Sequence, residues 1–225
     1  MSKAAGGFAV TVMLANHSSG TFHYWCGKYP GVLGWLVGPT ASRKTRWRKW
    51  VPFALDNDAY SAFTNAQEWC LDSWLEMLRL VKSQGQIPQW CLCPDVVGDK
   101  QKTIHLWEKH SKTITGMGWA PAFAVQDGME KADVPQGAEV IFVGGTTVWK
   151  WRTVEYWCSN FRRVHVGRVN TVPRLWLCED LGAESVDGTS WFRDGEDGPK
   201  LQRLEAYLKR ERHPELFLNT PRLKP

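Results

Sequence analysis

The chain has 225 residues, 28 Lys and Arg against 23 Asp and Glu, a formal net charge of +5 and 14 tryptophans. That length suits one α/β domain of barrel size, and the apolar runs are too short to span a bilayer. Residues Met1–Gly7 lack the charged-then-apolar pattern of an export signal, so a soluble, cytoplasmic protein is the expectation.

Phe8–Leu14 reads as a first strand, and Asn16–Gly31, with Ser18, Ser19 and Gly20, as turn-rich chain. Gly31–Val37 is a second apolar run. Arg43–Trp50 reads as a long loop, and Phe53–Leu55 as a third strand ending at Asp56-Asn57-Asp58. Within Gln67–Ser83, Trp74, Leu75, Leu78 and Val81 recur at helical spacing, and Gly85 closes the helix. Gln89–Cys93 is a fourth strand, followed by Pro94-Asp95 and a helix capped by Asp99 that runs to about Ser111. Trp119–Val125, Glu139–Val143 and Arg163–Val166 are strands five to seven, ending at Gln126-Asp127, Gly144-Gly145 and Gly167-Arg168. Helices are expected over Val148–Cys158, capped by Thr146 or Thr147, and over Pro173–Leu181. Glu184–Val186 is the eighth strand, and Lys200–Arg212 an amphipathic final helix. Strands alternating with helices argue for a parallel sheet with right-handed crossovers, and eight of them for a single closed (β/α)8 barrel spanning residues 1–225.

In such a barrel the strand ends share one rim, where chemistry is placed. That rim would carry Asp56, Asp58, Asp95, Gln126, Gly144, Gly145, Arg168 and Asp187. Two carboxylates flanking a pocket cleave a glycosidic bond, one attacking the anomeric carbon and the other moving the leaving group's proton. An amide and a further carboxylate read a purine edge. The glycine pair either lets backbone approach a flat ring or forms a strand-to-helix turn. The six cysteines (Cys26, Cys70, Cys91, Cys93, Cys158, Cys178) form neither a disulfide framework nor a zinc pattern and read as core thiols. The histidines (His17, His23, His105, His110, His165, His213) form no ligand motif, so no metal or cofactor is expected. Arg43, Lys44, Arg46, Arg48 and Lys49, interleaved with Trp47 and Trp50, fit a nucleic-acid contact or, equally, a solvated loop whose tryptophans cover the barrel.

Several blocks resemble the tRNA-guanine transglycosylase superfamily, most closely its branch that inserts 7-deazaguanine bases into DNA. They are Phe53–Ser61 (FALDNDAYS), Cys93–Asp99 (CPDVVGD), Phe123–Gly128 (FAVQDG), Phe142–Lys150 (FVGGTTVWK), His165–Arg168 (HVGR) and Gly182–Ser190 (GAESVDGTS), in the family's order. The resemblance implies a TIM-type barrel and base exchange by double displacement. Asp187 matches the nucleophile that attacks C1′, and Asp56 the carboxylate that moves protons for leaving and entering bases. Asp95 and Gln126 match residues that read the guanine-like edge, and Gly144 and Gly145 glycines whose backbone contacts the base. Asn57 and Asp58 stand where the family's Asp-Asn-Gly pattern meets the base, with Asp58 replacing the glycine. The Arg43–Lys49 cations are assigned to the phosphate backbone, as is Arg168, whose alternative is a pair with a barrel carboxylate. The zinc ligands of the tRNA enzymes are absent, which favours DNA or a smaller substrate, and Gly188-Thr189-Ser190 stands in place of their Pro-Thr-Arg. The resemblance implies DNA as partner and a preQ0-type 7-deazaguanine as incoming base. A homodimer is compatible with the family. The alternatives are the same exchange on RNA, a non-catalytic nucleic-acid-binding barrel, and an unrelated small-molecule barrel enzyme with a phosphate site at Gly144-Gly145.

Overall fold

Short runs of aliphatic, β-branched and aromatic residues between turn residues form the strands, and they pair in chain order. The computed structural model describes residues 10–16, 19–195 and 198–211. Eight strands close into a barrel: β1 (Thr11–Ala15), β2 (Leu33–Val37), β3 (Phe53–Leu55), β4 (Cys91–Leu92), β5 (Pro121–Val125), β6 (Val140–Val143), β7 (Val164–Val166) and β8 (Ser185–Gly188). All pairs are parallel, and β8 closes on β1 with Asp187 beside Met13. Between and after the strands lie α1 (Gly20–Lys28), α2 (Pro39–Ser42), α3 (Ala59–Thr64), α4 (Leu71–Ser83), α5 (Lys100–Gly116), α6 (Thr147–Asn160), α7 (Val172–Asp180) and α8 (Pro199–Leu208). This is the (β/α)8 architecture that the strand–helix rhythm implies. The wall is thinnest between β3 and β4, which share one Cα pair, Leu55 with Cys91.

Side chains alternate along a strand, so each strand serves two cores. Outward residues such as Val12, Leu55, Val143 and Val186 pack with Phe22, Trp74, Trp157 and Leu204 of the helices. Inward residues Met13, Leu36, Ala54, Trp90, Leu92, Ala122, Ala124 and Val140 form a separate core inside the barrel, joined by Phe142. Two large rings among alanines, Trp90 and Phe142, fill much of the interior. On α4 the buried face is Trp74, Met77, Leu78 and Val81. Each such side chain contributes about 2 kcal/mol by leaving water.

Local expectations shift in places. The turn-rich stretch after β1 contains α1, because the Ser19 hydroxyl accepts from the Phe22 N–H at 3.1 Å and caps a helix. Helix α3 was not expected either, and β4 keeps two residues of the expected five. Helix α4 starts at Leu71 rather than Gln67, and α5 runs on to Gly116. Strand β8 extends through Asp187 to Gly188, so Asp187 belongs to the barrel wall. Phe8, Ala9, His17, Ser18, Arg212 and His213 lie outside the described residues.

Candidate active site

The strand ends open on a pocket of about 320 Å³. Asp56, Asn57, Asp58, Asp95, Gln126, Gly144, Gly145, Arg168 and Asp187 all line it. The Arg43–Lys49 cations do not; Arg43 and Lys44 border a separate groove with Glu76 and Ser73 of α4.

Asp187 shares the inward face of β8 with Ser185, two residues away. Its Oδ1 lies 3.0 Å from His165 Nε2, and His165 Nδ1 lies 2.8 Å from Ser185 Oγ. Glycines clear the space around it: a Cβ on Gly167 would stand 3.0 Å from the Phe142 ring and 3.4 Å from Asp187 Oδ1. Beyond the strand, Asn170 Oδ1 accepts from the Thr189 and Ser190 N–H groups at 3.0 and 3.2 Å and shapes the exit turn.

Asp56 follows β3 and accepts the Asn57 N–H at 2.9 Å. Burial, followed by the charges of Asp58 and Asp187, pushes its carboxyl well above the usual range. Two carboxyl groups at one pocket, one biased toward its protonated form, is the division of labour of an acid and a nucleophile.

Asp95 is buried and clamped by two amides. Its Oδ1 accepts from Asn57 Nδ2 at 2.6 Å and its Oδ2 from Gln126 Nε2 at 2.7 Å. Both amides are fixed from behind. Asn57 Nδ2 also donates to Cys93 O at 2.9 Å and its Oδ1 accepts from Ala59 N at 2.8 Å; Gln126 Oε1 accepts from Gly98 N at 2.9 Å. Burial pushes the Asp95 carboxyl up to about 6, against the two amide donors and the Arg168 charge, which pull it down. An ionised Asp95 with amides on both sides presents acceptors and donors in one cluster, the chemistry that recognises a nucleobase edge.

Asp58 lines the pocket, but its carboxylate is engaged elsewhere. It adopts a left-handed φ of 59° and accepts from Thr40 N at 3.0 Å, Thr40 Oγ1 at 2.7 Å and Asn16 Nδ2 at 3.3 Å. It therefore ties together the loops after β1, β2 and β3.

The glycine pair forms the turn from β6 into α6. Gly145 has φ +63°, and Asp127 holds the turn by accepting from Thr146 N at 2.7 Å and Thr146 Oγ1 at 2.6 Å. Arg168, also left-handed at φ 59°, donates to Gly145 O and lays its guanidinium 4.1 Å from the Tyr60 ring centre. Here the cation expected to meet phosphate is committed to a rim carbonyl and an aromatic face. Lys150 is buried to 1% exposure and donates to Gly167 O. Burial and the Arg168 charge push its ammonium down to about 7.

The basic segment stays exposed, with Arg43 paired to Glu76 at 2.5 Å. Trp47 packs on Phe53 and Trp35, at ring separations of 4.7 and 6.1 Å, and so covers the barrel, whereas Trp50 is 49% exposed.

Neither the protein-family models nor the curated proteins contain a match to this chain.

Among the described residues, no group of three or more His, Cys, Asp or Glu is arranged to hold a metal ion, and no helix is long and apolar enough to cross a membrane. Residues in or beneath the site that the sequence does not mark as functional include His165, Ser185, Tyr60 and Lys150. The signal for the first two was alternation. Ser185 is two residues before Asp187, and His165 two before Gly167, so both point into the barrel.

Proposed function

We propose that the protein exchanges guanine in DNA for a preQ0-type 7-deazaguanine through a covalent aspartyl–deoxyribose intermediate. The observation that carries this reading is the pairing of Asp187 with a protonation-prone Asp56 at one pocket that also holds the Asn57–Asp95–Gln126 cluster. In the first displacement Asp187 Oδ2 bonds to C1′, the C1′–N9 bond breaks with its electron pair going to guanine, and Asp56 supplies the proton. In the second, Asp56 takes a proton from the incoming base, whose ring nitrogen bonds to C1′ as the Asp187 ester bond breaks. Two inversions give retention at C1′. Asp95 accepts from the N1–H and N2–H groups of the base, and the Gln126 amide donates to O6. Asn57 holds Asp95 in place. Backbone at Gly144 and Gly145 borders the base. Arg43, Lys44, Arg46, Arg48 and Lys49 contact phosphates, as does Arg168 once a strand draws it from Tyr60, so binding weakens with salt. The target base is extruded from a duplex or taken from a single strand. The scheme places the enzyme in the cytoplasm, free or as a homodimer, and needs no redox cofactor or metal.

The test is trapping. The protein is incubated with guanine-containing DNA and, separately, RNA, and a denaturation-resistant adduct is sought, with Asp187→Ala as control. An adduct on DNA that is absent in the variant supports the reading. An adduct on RNA alone moves the same chemistry to RNA. No adduct on either strand, with preQ0 present and the chain folded, overturns it.

A further inference from the structure

The interior of this barrel holds a polar chain that packing does not call for. The imidazole of His165 is fully buried in a core otherwise made of Met13, Leu36, Ala54 and Trp90. A leucine would fill the same space without any polar group to satisfy. Instead the ring is fixed on every side. Phe142 stacks on it at 4.9 Å and 26°, and Trp90 meets it edge-on at 4.7 Å. Within the ring plane both nitrogens are bonded, Nδ1 to Ser185 Oγ at 2.8 Å and Nε2 to Asp187 Oδ1 at 3.0 Å.

The chemistry of the partners sets the direction of this chain. An ionised carboxylate only accepts, so Nε2 carries a hydrogen and donates to Asp187. Nδ1 then meets the Ser185 hydroxyl, a group that serves as donor or acceptor and so seats the ring in either case. The carboxylate is held by Oδ1, while Oδ2 carries no hydrogen bond among the described residues, and Asp187 lines the pocket. From these contacts we infer that His165, seated by Ser185, is a positioning residue that fixes the Asp187 carboxylate with one oxygen bonded and the other presented to the pocket. The inference rests on the reading of Asp187 as nucleophile.

A carboxylate free to rotate offers its attacking oxygen in the right direction only part of the time. Misplacement of a reacting group by about 1 Å costs roughly a hundredfold in rate. The test compares His165→Leu, which fills the space without a donor, with His165→Gln, whose side-chain amide places a donor near the position of Nε2. Single-turnover adduct formation on guanine-containing DNA is measured over a range of strand concentrations, with folding checked by circular dichroism. The expected result is a roughly hundredfold slower maximal rate for His165→Leu at an unchanged half-saturating strand concentration, with His165→Gln recovering to within about tenfold of wild type. Equal rates for wild type and a folded His165→Leu overturn the inference, and so does equal loss in both variants.

A second readout does not depend on turnover. Nitrogen-15 NMR of the imidazoles reports which ring nitrogen bears hydrogen. A protonated Nε2 on His165 whose signal shifts in Asp187→Asn supports the clamp; a ring protonated on Nδ1 alone overturns it. Wild-type protein that shows the clamp yet forms no adduct on DNA or RNA counts against base exchange, not against the clamp.

Discussion

Replacing Lys150 by methionine isolates the cost of a buried charge. Nζ donates to Gly167 O and lies 4.9 Å from the Trp151 ring centre, with no carboxylate bonded to it among the described residues. Burial, then the Arg168 charge, brings the ammonium down to about 7, with Asp187 and Cys178 pulling the other way. An unfolded lysine titrates near 10.4, so the difference is roughly 3 units, each worth about 1.4 kcal/mol. Holding the charge in the folded chain therefore costs on the order of 4 kcal/mol. Between about pH 7 and pH 10 the unfolded chain binds a proton that the folded chain does not, so this group makes stability rise with pH across that window. Below about pH 7 both states are charged and the folded chain bears the full cost. Methionine keeps a similar shape and gives up one hydrogen bond, worth about 1 kcal/mol. Lys150→Met is expected to be more stable than wild type by roughly 3 kcal/mol near pH 6, with the gap closing or reversing near pH 10. Urea denaturation of both proteins across that range measures the gap, and groups common to both cancel. A gap that ignores pH, or a variant weaker than wild type near pH 6, refutes the reasoning.

Other consequences are equally open to measurement. Gly145→Ala meets a left-handed backbone and puts a Cβ 2.5 Å from Asp127 Oδ2 and 2.7 Å from the Trp149 ring, so a loss of about 3 kcal/mol is expected in thermal or urea denaturation. Gly85→Ala, at φ +66° with no heavy atom within 4 Å of the new Cβ, is the control and loses only about 1 kcal/mol. Asp58→Ala removes the tie to Thr40 and Asn16 and is expected to cost about 2 kcal/mol, while Asp58→Asn, which tolerates the left-handed turn and keeps an acceptor, costs less than half of that. Protonation of Asp95 removes an acceptor, so calorimetric affinity for guanine is expected to fall about tenfold per pH unit below about 6; a flat profile removes Asp95 from base recognition. Glutamine at Lys44, Arg46, Arg48 and Lys49 is expected to flatten the salt dependence of DNA binding, and glutamine at Arg43, already paired with Glu76, to do so least.

The closed barrel was legible because each strand is short, apolar and followed by a turn residue, and because Asp56, Asp95, Gln126 and Gly144 all fall at strand ends that topology brings together. Helix α1 was not, since glycines at 20 and 27 and the serine before them mimic a turn; only the cap geometry shows that Ser19 starts a helix. Asp58 reads as a base contact from its place in the Asp56-Asn57-Asp58 turn; its hydrogen bonds to Thr40 and Asn16 come from loops distant in sequence, and no local pattern reveals them. Arg168 reads as a phosphate contact from its place just past β7, while its stacking on Tyr60 depends on helix α3, which no sequence pattern announces. His165 carries no strand-end signature; it sits one layer deeper, where alternation alone directs it inward.

The single Cα pair between β3 and β4 gives the Asn57 amide a second duty. One nitrogen donates both to Cys93 O, a backbone acceptor just past β4, and to Asp95 Oδ1 in the pocket. The side chain thus supplies the rung that the backbone ladder lacks, and it does so with the atom that also steadies the Asp95 carboxylate. Under the proposed function, stitching the wall and reading a base are mechanically one act at this point. A molecule that pulls on Asp95 tugs the seam, so local breathing of the barrel, seen as amide exchange at Leu55 and Gln89, becomes a gauge of what the pocket holds.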